Sequence, residues 1–133
     1  MSHFADLLEF HRAVGLSAPN APTLPDVQTL ELRRTLIQEE FAEVMAEFDR
    51  IEQIGEAGSV LELSDLLHEL ADLLYVTYGT FVACGVDADV VFAEVHRANM
   101  QKAGGKRRED GKILKPEGFK SADVKGVLES LMG

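Results

Sequence analysis

The stretch "LIQEEFAEVMAEF" (residues 36–48) places glutamates at 39, 40, 43 and 47, and no lysine or arginine lies between Arg34 and Arg50. A second acidic set, Glu62, Asp65, Glu69 and Asp72, follows in "SVLELSDLLHELAD" (59–72), and no base occurs between 51 and 96 to pair with it. Carboxylates near a core cost several kcal/mol each, roughly, unless they are paired or bound to a cation. All-oxygen donors suit hard divalent ions, Mg²⁺ first with Mn²⁺ as a substitute. A di-iron bundle would want Glu-x-x-His pairs, whereas the motif here is "ELAD", Glu-x-x-Asp. His68 falls to the side of the Glu69 direction and reads as a supporting or surface histidine.

The elements that must position these acids read as helices. At about 100° per residue, Leu30, Ile37, Phe41, Val44, Phe48 and Ile51 form one apolar sector, the expected core stripe. Glu39, Glu40, Glu43 and Glu47 fall in a second sector beside it. The segment after Ser59 is apolar nearly all round, the mark of a buried bundle member, and its four acids share one narrow strip. If the two strips face each other, cations must fill the gap.

Five helices are expected and no strand. Ser2 caps the first and Gly15 stops it. A proline-bearing linker (16–26) leads to Asp26, the cap of a long helix to about Ile54. Ser59 and Glu62 form a capping box for a third helix ending near Ala83. Asp87 caps a fourth, over "ADVVFAEVHRANMQKA", and Ser121 caps a short last one. The fold class is all-α, an antiparallel bundle of about five helices forming one domain over residues 1–133.

Composition limits the function. The net charge of −10 argues against general nucleic-acid binding. No apolar run is long enough to span a membrane, no signal-peptide pattern opens the chain, and Cys84 is the only cysteine. A cytoplasmic protein with neither membrane nor nucleic-acid partner is expected. The charge is uneven: residues 1–96 carry 18 acids and 4 bases, whereas 97–133 carry 9 bases and 5 acids. Such an acidic body with a basic tail suits an anionic ligand that arrives with cations.

Clustered Mg²⁺ in a carboxylate cage most often serves phosphoryl chemistry, which also needs protein cations on the outer phosphates. "NMQK" (99–102) puts Asn99 and Lys102 on one helix face, followed by a glycine-rich basic loop that includes Lys115. Tyr75, one turn after Asp72, reads equally as a phosphate or sugar contact and as core.

Together, EExxE at 39–43, ExxD at 69–72 and "NMQK" resemble the MazG-like all-α nucleoside triphosphate pyrophosphohydrolases. The tail "DGKILKPEGF" (110–119) resembles the short single-domain members, including those that prefer dUTP. The resemblance implies Mg²⁺-dependent hydrolysis of an NTP or dNTP to monophosphate and pyrophosphate by a homodimer or dimer of dimers. Carried over by motif position, Glu39, Glu40, Glu43, Glu69 and Asp72 would hold metal, and Glu47 would support them. Asn99, Lys102 and Lys115 would contact substrate. Glu40 is the preferred base for the attacking water and Glu43 the second choice. Two rival readings are a phosphoribosyl-ATP pyrophosphohydrolase, which the tail argues against, and a non-catalytic helical module binding metal or a partner.

Overall fold

The computed structural model describes residues 2–133, and among them five α-helices form and no strand does. Helix α1 spans His3–Val14, α2 Val27–Ile54, α3 Ser64–Cys84, α4 Ala88–Met100 and α5 Val124–Leu131. The chain divides into two compact units, one up to Gly85 and one over Val86–Gly133. No single helix among the described residues is long and apolar enough to cross a membrane.

Local chemistry sets most helix ends. Ser2 accepts from the Ala5 amide, and Gly15 ends α1 in the left-handed conformation at φ 78°. Asp26 caps α2 through the Thr29 amide at 2.8 Å, and Asp87 caps α4 through Asp89. Two expected caps differ. Ser59 makes no side-chain cap bond, and Val60–Leu63 is a 3-10 turn leading into α3. Its box partner Glu62 is held elsewhere, as shown below. Helix α5 is capped by Asp123, whose carboxylate accepts from the Gly126 amide at 2.9 Å, and not by Ser121.

In the first unit α1 and α2 both pack on α3. Two arginines reveal the direction of the α2–α3 pair. Early in α2, Arg33 bonds Thr80 Oγ1 at 3.2 Å and the Val76 carbonyl at 2.8 Å. Late in α2, Arg50 bonds both the carboxylate and the carbonyl of Glu62. Rising numbers on α2 thus meet falling numbers on α3 and on the 3-10 turn that leads into it, so the two helices run antiparallel. Glu62 therefore has a base after all, supplied from the neighbouring helix.

The inward face of α2 keeps only half of the expected apolar sector, Ile37, Val44 and Ile51. Arg33 and Val44 are buried, and Ile37, Glu40, Glu47 and Ile51 are half-buried along the same heptad-spaced line. Leu30, Phe41 and Phe48 are instead 43%, 52% and 41% exposed. Polar groups with work inside the pair occupy the line that an ordinary bundle gives to aromatics, and the aromatics turn outward.

The second unit holds α4, α5 and the basic loop between them. Asp123 N donates to Glu94 Oε1 at 3.0 Å, tying the start of α5 to α4. The loop folds back on itself through one antiparallel bridge, Arg107 with Ile113.

Candidate metal centre

Four carboxylates converge where the middles of α2 and α3 cross. One oxygen from each of Glu40, Glu43, Glu69 and Asp72 lies within 4.8 Å of the others. On each helix the pair is spaced i, i+3, so one turn presents both groups to the opposite helix. The antiparallel packing then sets the two pairs face to face.

The electrostatics of the group are unfavourable without a cation. Glu40 Oε2 and Glu69 Oε2 are buried, and no donor among the described residues reaches either. Buried acceptors are almost always satisfied, so two orphans in one acidic group call for a positively charged ligand. Burial, then hydrogen bonding to Glu43, then the charges of Glu43, Asp72 and Glu69 push the Glu40 carboxyl above its ordinary range. Glu69 is raised first by hydrogen bonding to Glu43, then by burial and by the charges of Glu43 and Asp72, with His68 opposing. Crowding of this kind disfavours the charged form of Glu40 and Glu69, and a bound cation relieves it. Four hard oxygen donors with two unsatisfied lone-pair sites fit a divalent ion of the Mg²⁺ or Mn²⁺ type.

The other acids named from sequence stand apart. Glu39 is exposed and is not one of the four convergent carboxylates. Glu47 accepts from Arg50 Nε at 2.7 Å, so an ion pair occupies it. His68 Nε2 lies 3.4 Å from Asp72 Oδ2 on an exposed side chain, in keeping with a supporting or surface role. Tyr75 is 41% exposed, meets Phe10 edge-to-face at 5.4 Å, and lines a small cavity with residues of α1 and α3.

In the second unit, Asn99 and Lys102 line one cleft together with Lys112. Lys115 turns to the Phe119 ring, 5.4 Å from its centroid, and Lys102 approaches the same ring at 5.6 Å.

Two groups escaped the sequence reading. Arg50 ties Glu47 to Glu62, a pairing visible only once α2 and α3 are laid antiparallel. Arg33, His11 and Gly79 form a polar knot inside the first unit. His11 is 1% exposed, with Nδ1 2.9 Å from the Ser17 carbonyl, and Arg33 is 5% exposed. A Cβ at position 79 would overlap Arg33 Nη2, so glycine there makes room for the guanidinium. The one available hint was a glycine inside an apolar helix.

A search of curated proteins finds no match to the chain. The phosphoribosyl-ATP pyrophosphohydrolase family matches residues 7–99, a span that holds all four convergent carboxylates and stops short of the basic loop. The carboxylate pairs on α2 and α3 and this match agree: the chain belongs to the phosphoribosyl-ATP pyrophosphohydrolase family, within the MazG-like all-α superfamily of divalent-metal-dependent pyrophosphohydrolases.

Proposed function

We propose that this chain is a single-domain nucleoside triphosphate pyrophosphohydrolase, cleaving an NTP or dNTP such as dUTP to the monophosphate and pyrophosphate. The observation that carries the reading is the group of Glu40, Glu43, Glu69 and Asp72 with its two buried, unsatisfied oxygens. These four would hold Mg²⁺, or Mn²⁺ in its place. Bound there, such an ion neutralises phosphate oxygens and acidifies a water. Glu40 is the base we assign, because its buried Oε2 has no donor and is free to accept the water's proton. Glu43 is the second choice. Asn99, Lys102 and Lys115 bind the phosphates, and Tyr75, partly exposed, is a candidate contact for the sugar.

The resemblance also implies a homodimer or dimer of dimers. Phe41, Met45 and Phe48 on α2, with Leu67 and Leu74 on α3, supply exposed apolar surface that a second copy would cover. Light scattering on the eluting protein tests this: a monomer at all concentrations would remove it.

Phosphoribosyl-ATP is the substrate of the second reading, which the family match over residues 7–99 favours. The tail "DGKILKPEGF" lies outside that span and favours the first. A panel of dUTP, dCTP, dATP, ATP and phosphoribosyl-ATP, with Mg²⁺ or Mn²⁺ and pyrophosphate as readout, separates them. Hydrolysis of phosphoribosyl-ATP alone would replace the first reading with the second. No hydrolysis of any of them would leave a non-catalytic helical module.

A further inference from the structure

Lys102 and Lys115 are 13 residues apart, yet both ammonium groups sit within 6 Å of the Phe119 ring centroid. Neither makes an ion pair among the described residues, although Arg97 and Arg108 in the same unit are taken by Glu94 and Asp110. Glu117, two residues from Lys115, is not used either. The negative face of the ring offsets only part of the charge of each ammonium group, which leaves positive charge near the ring to attract a polyanion.

The ring itself is fixed in place. The Gln101 side chain grips the main chain of Lys120 at two points: Oε1 accepts from the Lys120 amide at 3.1 Å, and Nε2 donates to its carbonyl at 2.8 Å. Gln101 precedes Lys102 and Lys120 follows Phe119, so this double bond sets the ring against the end of α4. The Phe119 amide closes a turn onto the Pro116 carbonyl at 3.1 Å, over Gly118 at φ 79°. A lysine side chain is long and flexible, and a rigid aromatic surface reduces the freedom it must give up on binding.

We propose that Phe119 is a positioning residue that gathers Lys102 and Lys115 into a paired-ammonium clamp for the pyrophosphate end of the nucleotide. This rests on the phosphate-binding role given to the two lysines above. Gln101 is the second element of the device, because it holds the loop that carries the ring.

Inorganic pyrophosphate is the probe, titrated by calorimetry into the full chain with Mg²⁺ present. Phe119→Leu is expected to weaken its binding roughly tenfold, the loss of two exposed cation–π contacts. Phe119→Tyr, which keeps the ring, should stay within about twofold. In a Lys102→Ala/Lys115→Ala background, Phe119→Leu should have no further effect. With nucleotide as substrate, Phe119→Leu should raise KM by a similar factor and change kcat less. The proposal is overturned if Phe119→Leu melts and binds as wild type, if Phe119→Tyr loses as much as Phe119→Leu, or if the leucine effect persists without the lysines. If no nucleotide is hydrolysed but pyrophosphate binding follows the expected pattern, the hydrolase reading fails and the clamp stands. If hydrolysis proceeds and Phe119→Leu is silent, the clamp alone fails.

Discussion

Glu40 on α2 and Glu69 on α3 each bury an Oε2 that no donor among the described residues reaches, and both carboxylates belong to one convergent group. Acceptors left this way favour any cation that can enter. Adding Mg²⁺ or Mn²⁺ should therefore raise the melting temperature, and chelation should lower it. At a hundred times the dissociation constant, binding to the folded state alone stabilises by about 2.7 kcal/mol. A thermal melt with and without EDTA measures this, and Asp72→Asn should abolish most of the gain.

Replacing Glu40 separates binding from chemistry. Glu40→Gln keeps the size of the side chain and removes the proton acceptor. Turnover should fall by about two to four orders of magnitude while nucleotide still binds. Pyrophosphate release and calorimetric nucleotide binding, measured on the same preparation, check both halves. Near-normal turnover would take Glu40 out of the role and turn attention to Glu43.

Acid titration should show the crowding directly. Glu40 and Glu69 have folded pKa values raised above the ordinary 4.5, so the folded chain holds protons that the unfolded chain has released. Their contribution is present below about pH 4.5 and is lost as pH rises through the folded values. Without metal, the stability of wild type relative to Glu40→Gln/Glu69→Gln should fall as pH climbs through that window. Urea midpoints of the two proteins across pH 4 to 8, roughly the span of these titrations, test the sign. Divalent ions should reverse the trend, because they replace the displaced protons.

Gly79→Ala should destabilise the first unit. The added Cβ would overlap Arg33 Nη2 and lie 3.0 Å from His11 Nε2. Overpacking of this kind costs about 1–3 kcal/mol. In an Arg33→Ala background the same substitution should cost far less, since the group it strikes is gone. A double-mutant cycle from denaturant unfolding gives the coupling.

The convergent carboxylates were legible because their chemistry repeats at i, i+3 on two helices that lack bases of their own. Asp26 and Asp87 were legible as caps because capping is a local matter. Half of the α2 core stripe was misread for a physical reason. Counting apolar residues around α2 put Leu30, Phe41 and Phe48 inside with Ile37, Val44 and Ile51, but the inward line carries Arg33, Glu40 and Glu47 among the latter three, with Arg33 bonded to α3 and Glu47 to Arg50 of α2 itself. Of the three α2 glutamates expected to hold metal, Glu40 and Glu43 join the group and Glu39 does not. Hydrophobicity orients a helix only where its inward groups are apolar. Arg50 with Glu62 and Arg33 with Gly79 depend on a partner helix, which no local pattern encodes. Ser59 lost its expected capping box to the same cause, since Arg50 holds Glu62.

The two arginine ties have a mechanical consequence. Arg33 and Arg50 are separated by 17 residues of α2, roughly 25 Å of helix, with Glu40 and Glu43 between them. Arg33 fastens α2 to α3 and Arg50 fastens it to the 3-10 turn that leads into α3, and neither uses any of the four convergent carboxylates. The acidic group is thus bracketed on both sides by ties that oppose sliding and splaying of the helices. Spacing between the two acidic pairs is therefore set by contacts outside the group, and not by the carboxylates or by anything they would bind.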